Sequence, residues 1–244
     1  MNNINWLKEA YFAHRGFHNI KNNVPENSLS AFKEAIKYDY AIECDVRLTK
    51  DKKIVVFHDH DLKRACGKSI IIEESTLSDL QEYKLFGTEE YIPSLQNLLN
   101  LVDKKVSLLV ELKTENNAKE LSYYFYQEIK DYQGVFAVQS FDPRVLLWFK
   151  RHQSDILRGQ IAELDKNKVH NPIFRYFKNR MILNTITNPS FINYNIIDMP
   201  LKTLDKLHAK GVPILAYTAK SQADYDFVIN HYDNVMFEGF HLKK

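Results

Sequence analysis

Two acidic residues two positions apart inside an apolar run, Glu43 and Asp45 within Ala41–Leu48, are the first feature of this 244-residue chain that invites chemistry. Successive side chains on a strand alternate faces, so Glu43 and Asp45 share one face while Cys44 takes the other. A second apolar run, Ile54 to Phe57, follows the charged segment Lys50-Asp51-Lys52-Lys53 and ends at His58. This pattern fits two strands joined by a tight polar turn. A turn centred between Asp51 and Lys52 sets Asp45 directly opposite His58, with Cβ atoms about 5 Å apart. Ionisable groups gathered in a buried patch are costly unless something compensates them, and a divalent cation is the usual compensation.

Further polar residues close other apolar runs. His14 and Arg15 end the run that starts at Tyr11, and Glu111 and Lys113 end the stretch Val106 to Lys113, again two apart and so on one face. Gln139 and Ser140 end the next one. Taken singly these have ordinary structural roles, His14 as a loop cap or Glu111 as the ion-pair partner of Lys113. Their recurrence at the ends of three separate segments argues for one site. Oxygen ligands without cysteine favour a hard cation, Mg²⁺ or Ca²⁺, able to polarise a phosphoryl oxygen. Arg15 and Lys113 would offset the remaining phosphate charge. The two histidines can divide proton transfer, each role contributing about 10² to 10⁴ in rate. The chemistry that suits this set is metal-assisted attack on a phosphate ester.

Strands and helices alternate along the whole chain. The run Tyr11 to Gly16 leads through an Asn-rich loop to Ser28, an N-cap for a helix with Leu29, Phe32, Ala35 and Ile36 on one stripe. After the paired strands, Asp61 to Pro93 is a polar insertion with a short helix expected over Leu77 to Tyr83, and it reads as a lid or cap. Ser94 caps the next helix. Strands are expected at Val106 to Leu112, Gly134 to Phe141, Ile156 to Ile161, Tyr194 to Ile197, Val212 to Thr218 and Val235 to Phe237. Helices are expected at Ala118 to Ile129, Pro143 to His152, Leu201 to Ala209 and Ser221 to Ile229, with an aromatic helical piece near Ile173 to Phe177. About eight such alternations over roughly 250 residues indicate a (β/α)₈ TIM barrel, whose active sites lie at the C-terminal strand ends. The rival doubly wound sheet lacks its Gly-x-Gly-x-x-Gly turn after the first strand. No repeat or linker divides the chain, so a single domain over residues 1–244, with the insertion at about 61–93, is expected.

Composition narrows the partners. Hydrophobic residues make up 45% and charged residues 26%, with net charge +2, and no long basic block suggests nucleic-acid binding. The longest uncharged run, Met181 to Ile197, is rich in Asn and contains Pro189, so no transmembrane span is expected. The N-terminus lacks a basic segment followed by an apolar core. Cys44 and Cys66 have no paired spacing, which fits a reducing cytoplasm and argues against a disulfide framework or a cysteine metal site.

Several ordered motifs carry a resemblance. His-Arg-Gly at 14–16, Pro-Glu-Asn-Ser at 25–28, Glu-Cys-Asp-Val at 43–46, Thr-Lys-Asp at 49–51, Val-Val-Phe-His-Asp at 55–59, Ile-Pro-Ser-Leu at 92–95 and Glu-Leu-Lys at 111–113 resemble the glycerophosphodiester phosphodiesterase family. The likeness is dense over residues 11–113 and thinner beyond. It implies a TIM barrel that hydrolyses glycerophosphodiesters to sn-glycerol 3-phosphate and an alcohol with one divalent cation. By matching position, Glu43, Asp45 and Glu111 would ligate the metal, His14 and His58 would be the acid–base pair, and Arg15 and Lys113 would hold the phosphate. Glu26, Asn27 and Gln139 would sit beside the site. In related phosphodiester-cleaving barrels the substrate's own hydroxyl attacks first to give a cyclic phosphate, and that route stays open. The pattern departs at Tyr217-Thr218-Ala219-Lys220 and Phe237-Glu238, which puts the head group in question. Two other readings stand beside this one. One is cleavage of a lysophospholipid or polymeric glycerophosphate, with Tyr123 to Tyr126 and Phe174 to Phe177 as an apolar rim. The other is a catalytically silent barrel that binds a phosphorylated ligand.

Overall fold

The protein is described by a computed structural model over residues 3–164 and 181–243, so the aromatic piece at 173–177 lies outside the described residues. The chain packs as two units, residues 11–137 and residues 1–10 with 138–244.

In the first unit, β1 (Phe12–Ala13) is shorter than expected because Arg15 and Gly16 both take left-handed backbone, φ 54° and 77°, and turn the chain away. Ser28 caps α1 (Leu29–Lys37) as anticipated, its hydroxyl accepting from Ala31 N at 3.1 Å. Strand β2 (Ala41–Leu48) is buried along its entire length, so both of its faces are packed. It pairs in parallel with β1 and with β4 (Leu108–Leu112), where Asp45 lies beside Glu111.

The partner β3 (Ile54–Val56) runs antiparallel to β2, but one residue out of the expected register. Val46 faces Val56, and Phe57 N donates to Asp45 O at 2.9 Å, so Phe57 rather than His58 is opposite Asp45. The cause is an odd-length turn. Thr49 N donates to Lys53 O at 2.9 Å, Thr49 Oγ1 donates to Asp51 Oδ1 at 2.6 Å, and Lys52 is left-handed at φ 62°, which centres the turn on Asp51 itself. His58 therefore reaches the site from the loop after β3 and not as a cross-strand partner.

The insertion contains α2 (Lys63–Cys66) and α3 (Leu77–Leu80), the latter three residues shorter than expected and fixed at its start by a Thr76–Asp79 capping box. Leu62, Ala65, Ile72, Leu80, Leu85 and Ile92 bury against Val55 and Phe57. Helix α4 (Leu95–Val102) opens with a Ser94–Asn97 capping box, and α5 (Ala118–Ile129) follows β4.

From Val138 onward, in the second unit, β5 (Phe136–Ser140), β6 (Arg158–Ala162), β7 (Phe191–Asn195), β8 (Ile214–Ala219) and β9 (Asn234–Phe237) pair in parallel, each with the next. Between them stand α6 (Pro143–His152), α7 (Asn184–Thr187), α8 (Lys202–His208) and α9 (Gln222–Ile229). Strand β7 starts three residues before the expected Tyr194 and stops at Asn195, whose side chain accepts from Ile197 N at 3.1 Å and starts a 3₁₀ turn. Asn234 ties the N-terminal residues to this unit by donating to Leu7 O at 2.9 Å and Ala10 O at 2.6 Å. Eight parallel strands alternating with helices make this a (β/α)₈ TIM barrel, with β3 as an added antiparallel strand. Among the described residues no helix is long and apolar enough to cross a membrane.

Candidate active site

The strand face shared by Glu43 and Asp45 meets Glu111 on the neighbouring strand. One carboxylate oxygen from each lies within 4.8 Å of the others, a spacing able to hold one metal ion. All three residues are buried, Glu43 and Asp45 to 1% exposure and Glu111 to 8%. Three buried carboxylates and no sulfur or imidazole in the inner set form an oxygen-donor cage that suits a hard divalent cation.

Cations are interleaved with these acids. Lys113 Nζ is 3.0 Å from Glu111 Oε1 and 3.5 Å from Asp45 Oδ1. Arg15 Nε lies 3.4 Å from Asp45 Oδ2 without making a hydrogen bond, and Arg15 Nη1 donates to Glu26 Oε1 at 2.7 Å. The Arg15 backbone N donates to Glu43 Oε2 at 3.0 Å, and His14 Nε2 is 4.0 Å from the same oxygen. Asn27 clamps Asp45 from both ends, donating to its Oδ2 at 2.8 Å and accepting from its backbone N at 3.3 Å.

The loop backbone makes this convergence possible. Arg15 and Asn27 are both left-handed, and Asn27 N donates to Arg15 O at 2.9 Å, which ties the two loop positions together. Asn tolerates that conformation; a long side chain such as Arg adopts it rarely, and such residues gather at functional sites. Gly16 is required twice over, by its φ of 77° and because a Cβ there would come within 2.9 Å of Ala31 Cβ.

Environment divides the three acids. Burial raises the proton affinity of Glu43 well above the ordinary carboxylate range, and Asp45 and Glu111 add to the effect. Burial likewise raises Glu111, against the pull of Lys113. Asp45 goes the other way: although burial opposes it, Lys113 and Arg15 hold its carboxyl well below the usual range. Burial lowers the basicity of His58, with Lys113 and Arg15 assisting and Asp45 resisting.

His14, Arg15, Glu26, Asn27, Glu43, Asp45, His58, Glu111 and Lys113 all belong to the first unit. Gln139 belongs to the second, where it is buried and accepts from Asn193 Nδ2 at 2.8 Å. Two participants were given no role by the sequence, although Asp59 closes the Val-Val-Phe-His-Asp motif. Asp59 accepts His58 at Nδ1, 2.6 Å away, and Arg64 spans from Asp59 to Glu26. An acid immediately after a histidine and a basic residue five positions later were the available signals, but nothing in the spacing told that the loop folds back.

Comparison with known proteins agrees with this geometry. Residues 14–234 match the glycerophosphoryl diester phosphodiesterase family. The glycerophosphodiester phosphodiesterase of Bacillus altitudinis is 28% identical over 230 residues, which cover 86% of each chain. The human lysophospholipase D GDPD1 is 30% identical over 158 residues, covering 50% of this chain and 49% of that protein. Among solved structures, an Oleispira antarctica phosphodiesterase in complex with the product sn-glycerol-3-phosphate has a TM-score of 0.80 at 21% identity, covering 94% of this chain and 92% of its own.

Proposed function

We propose, for a chain that belongs to the glycerophosphoryl diester phosphodiesterase family, hydrolysis of glycerophosphodiesters to sn-glycerol 3-phosphate and an alcohol. Family membership makes it a phosphoric diester hydrolase. The observation that carries the finer reading is the meeting of three buried carboxylates with Arg15, Lys113 and two histidines around one patch.

Glu43, Asp45 and Glu111 would hold one Mg²⁺ or Ca²⁺. Such an ion, when bound, supplies Lewis-acid polarisation of a phosphoryl oxygen. Arg15, with its Nε–H not used in a hydrogen bond, and Lys113 would bind the remaining phosphate oxygens. Glu26 and Asn27 would hold Arg15 and Asp45 in place. His14 and His58 are the acid–base pair. One takes a proton from the attacking hydroxyl as the new P–O bond forms, and the other protonates the departing alkoxide as the old one breaks. For His58 the working atom is Nε2, because Nδ1 is held by Asp59. The attacking group is water or, in a two-stage route, the substrate's own hydroxyl. A cyclic phosphate caught at short reaction times distinguishes the two.

The test is incubation of purified protein with glycerophosphocholine, glycerophosphoethanolamine and glycerophosphoglycerol, with divalent ion or EDTA. Metal-dependent release of glycerol 3-phosphate is expected from at least one, and its absence from all three would count against the reading. A second reading, a lysophospholipid as substrate, is favoured by the likeness to the human lysophospholipase D and by Tyr123 on α5, which is 48% exposed. Faster turnover of a lysolipid than of its deacylated counterpart would select it.

A further inference from the structure

One insertion residue joins both arms of the proposed chemistry. Arg64, from α2, donates through Nε to Asp59 Oδ2 at 2.7 Å, through Nη2 to Glu26 Oε1 at 2.7 Å and through Nη1 to Glu26 Oε2 at 3.1 Å. Each of those carboxylates is already engaged by a residue of the site. Asp59 Oδ1 meets His58 Nδ1 at 2.6 Å, and Glu26 Oε1 accepts from Arg15 Nη1 at 2.7 Å. The result is an unbroken chain of five side chains, Arg15–Glu26–Arg64–Asp59–His58, with Arg64 as its middle link. The Phe86 ring, 5.3 Å from Arg64 Cζ, supports the guanidinium from the insertion side.

We infer that Arg64 is a positioning residue for the phosphate-binding arginine and the proton-transferring histidine together, a role that rests on the function proposed above. Its side chain is 46% exposed, and exposed ion pairs contribute little to stability because solvent screens them. The guanidinium's fork is what matters: it presents three N–H groups in one plane to two carboxylates, which a single ammonium cannot reproduce. By fixing Asp59, Arg64 fixes which ring nitrogen of His58 carries the proton, Nδ1, and so leaves Nε2 for the reaction. By fixing Glu26 it holds Arg15 at the phosphate side. The insertion that bears Arg64 thus takes part in site geometry as well as burying Leu62, Ile72 and Leu80 against Val55 and Phe57.

Two measurements test this. In kinetics on glycerophosphocholine, Arg64→Ala is expected to lower kcat/KM by about 10- to 100-fold, in the range of losses when a supporting hydrogen-bond partner is removed. Arg64→Lys should recover only part of that loss. The double variant Arg64→Ala with Asp59→Asn should be no worse than Asp59→Asn combined with the loss through Glu26 alone, as expected of residues acting in one chain. In ¹⁵N NMR of the histidine side chains, the neutral His58 ring should carry its proton on Nδ1 in the unaltered protein and become a mixture of tautomers in Arg64→Ala. Full activity of Arg64→Ala, full rescue by lysine, or an unchanged His58 tautomer in Arg64→Ala would overturn the inference. An unaltered protein that cleaves no diester would instead overturn the functional reading, and the NMR comparison would still decide the role of Arg64.

Discussion

Replacing Glu43 with Gln should move thermal stability in opposite directions according to whether a divalent ion is present. Glu43 is 1% exposed, its Oε2 accepts from Arg15 N at 3.0 Å, and it shares a patch within 4.8 Å with two other carboxylates. Burial and that repulsion raise its proton affinity well above the ordinary carboxyl value of 4.5. A carboxyl raised on folding favours the folded state below its unfolded value, and the benefit is lost as pH rises through the folded one. At neutral pH in EDTA Glu43 therefore costs stability, either as a buried charge or in the uptake of a proton that avoids one, and Gln, of the same shape and still able to accept from Arg15, carries neither cost. Glu43→Gln is expected to melt at or above the unaltered protein there, and the difference should vanish near pH 4. With divalent ion at a hundred times its Kd, linkage adds about 2.7 kcal/mol to the unaltered protein. For a chain of this size that is a rise of about 5–11 °C, at about 2–4 °C per kcal/mol. Losing one of three anionic ligands should remove most of that rise. Differential scanning calorimetry of both proteins, with EDTA and with Mg²⁺ or Ca²⁺, reads both effects. Equal ion-induced rises, or a variant that melts well below the unaltered protein in EDTA, would refute the reasoning.

The other expectations are simpler. His14→Ala should lower release of glycerol 3-phosphate by about 10² to 10⁴ while keeping the ion-induced rise in melting temperature, since its ring stands 4.0 Å from Glu43 and supplies none of the three carboxylates. Lys113→Met should tighten the cation, measured by calorimetric titration, yet raise KM for the diester, because the ammonium 3.0 Å from Glu111 and 3.5 Å from Asp45 competes for those acids and also serves the phosphate. Gly16→Ala forces a side chain into left-handed backbone, at about 1–2 kcal/mol, and against Ala31. Its melting temperature should fall by at least about 2–8 °C.

The alternation of elements was legible because helical stripes and strand runs differ in period, and caps such as Ser28 and Ser94 mark their own helices. The pairing of Glu43 with Asp45 on one face follows from the pleat alone. The register that brings His58 in did not follow, because it hangs on whether Lys52 adopts a left-handed turn, a choice of one backbone angle that apolar patterning does not encode. Strand β7 was misplaced by a similar local event, the Asn195 side chain accepting from Ile197 N. Arg64 was illegible for a different reason. Its partners at Glu26 and Asp59 depend on how an irregular insertion folds back, and that is set by Leu62, Ile72, Leu80 and Leu85 burying together without any repeating period.

Counting charges in the inner group explains why a divalent ion suits this site better than a monovalent one. Four carboxylates, Glu43, Asp45, Glu111 and the Glu26 that shares Arg15, face two permanent cations, Arg15 and Lys113. Without a further ion the acids exceed the bases by two, and burial, with the neighbouring acids adding to it, raises the proton affinities of Glu43 and Glu111. A monovalent cation would leave one negative charge facing a phosphodiester. A divalent cation would bring the group to neutrality and remove that repulsion. Although burial opposes it, Lys113 and Arg15 hold the Asp45 carboxyl below the usual range, so under the proposed function it would be the readiest of the three to serve a cation as a carboxylate. The opposite shifts of Glu43 and Asp45, two residues apart on one strand, have one source: burial and neighbouring acids prevail at Glu43, whereas Lys113 and Arg15 outweigh burial at Asp45.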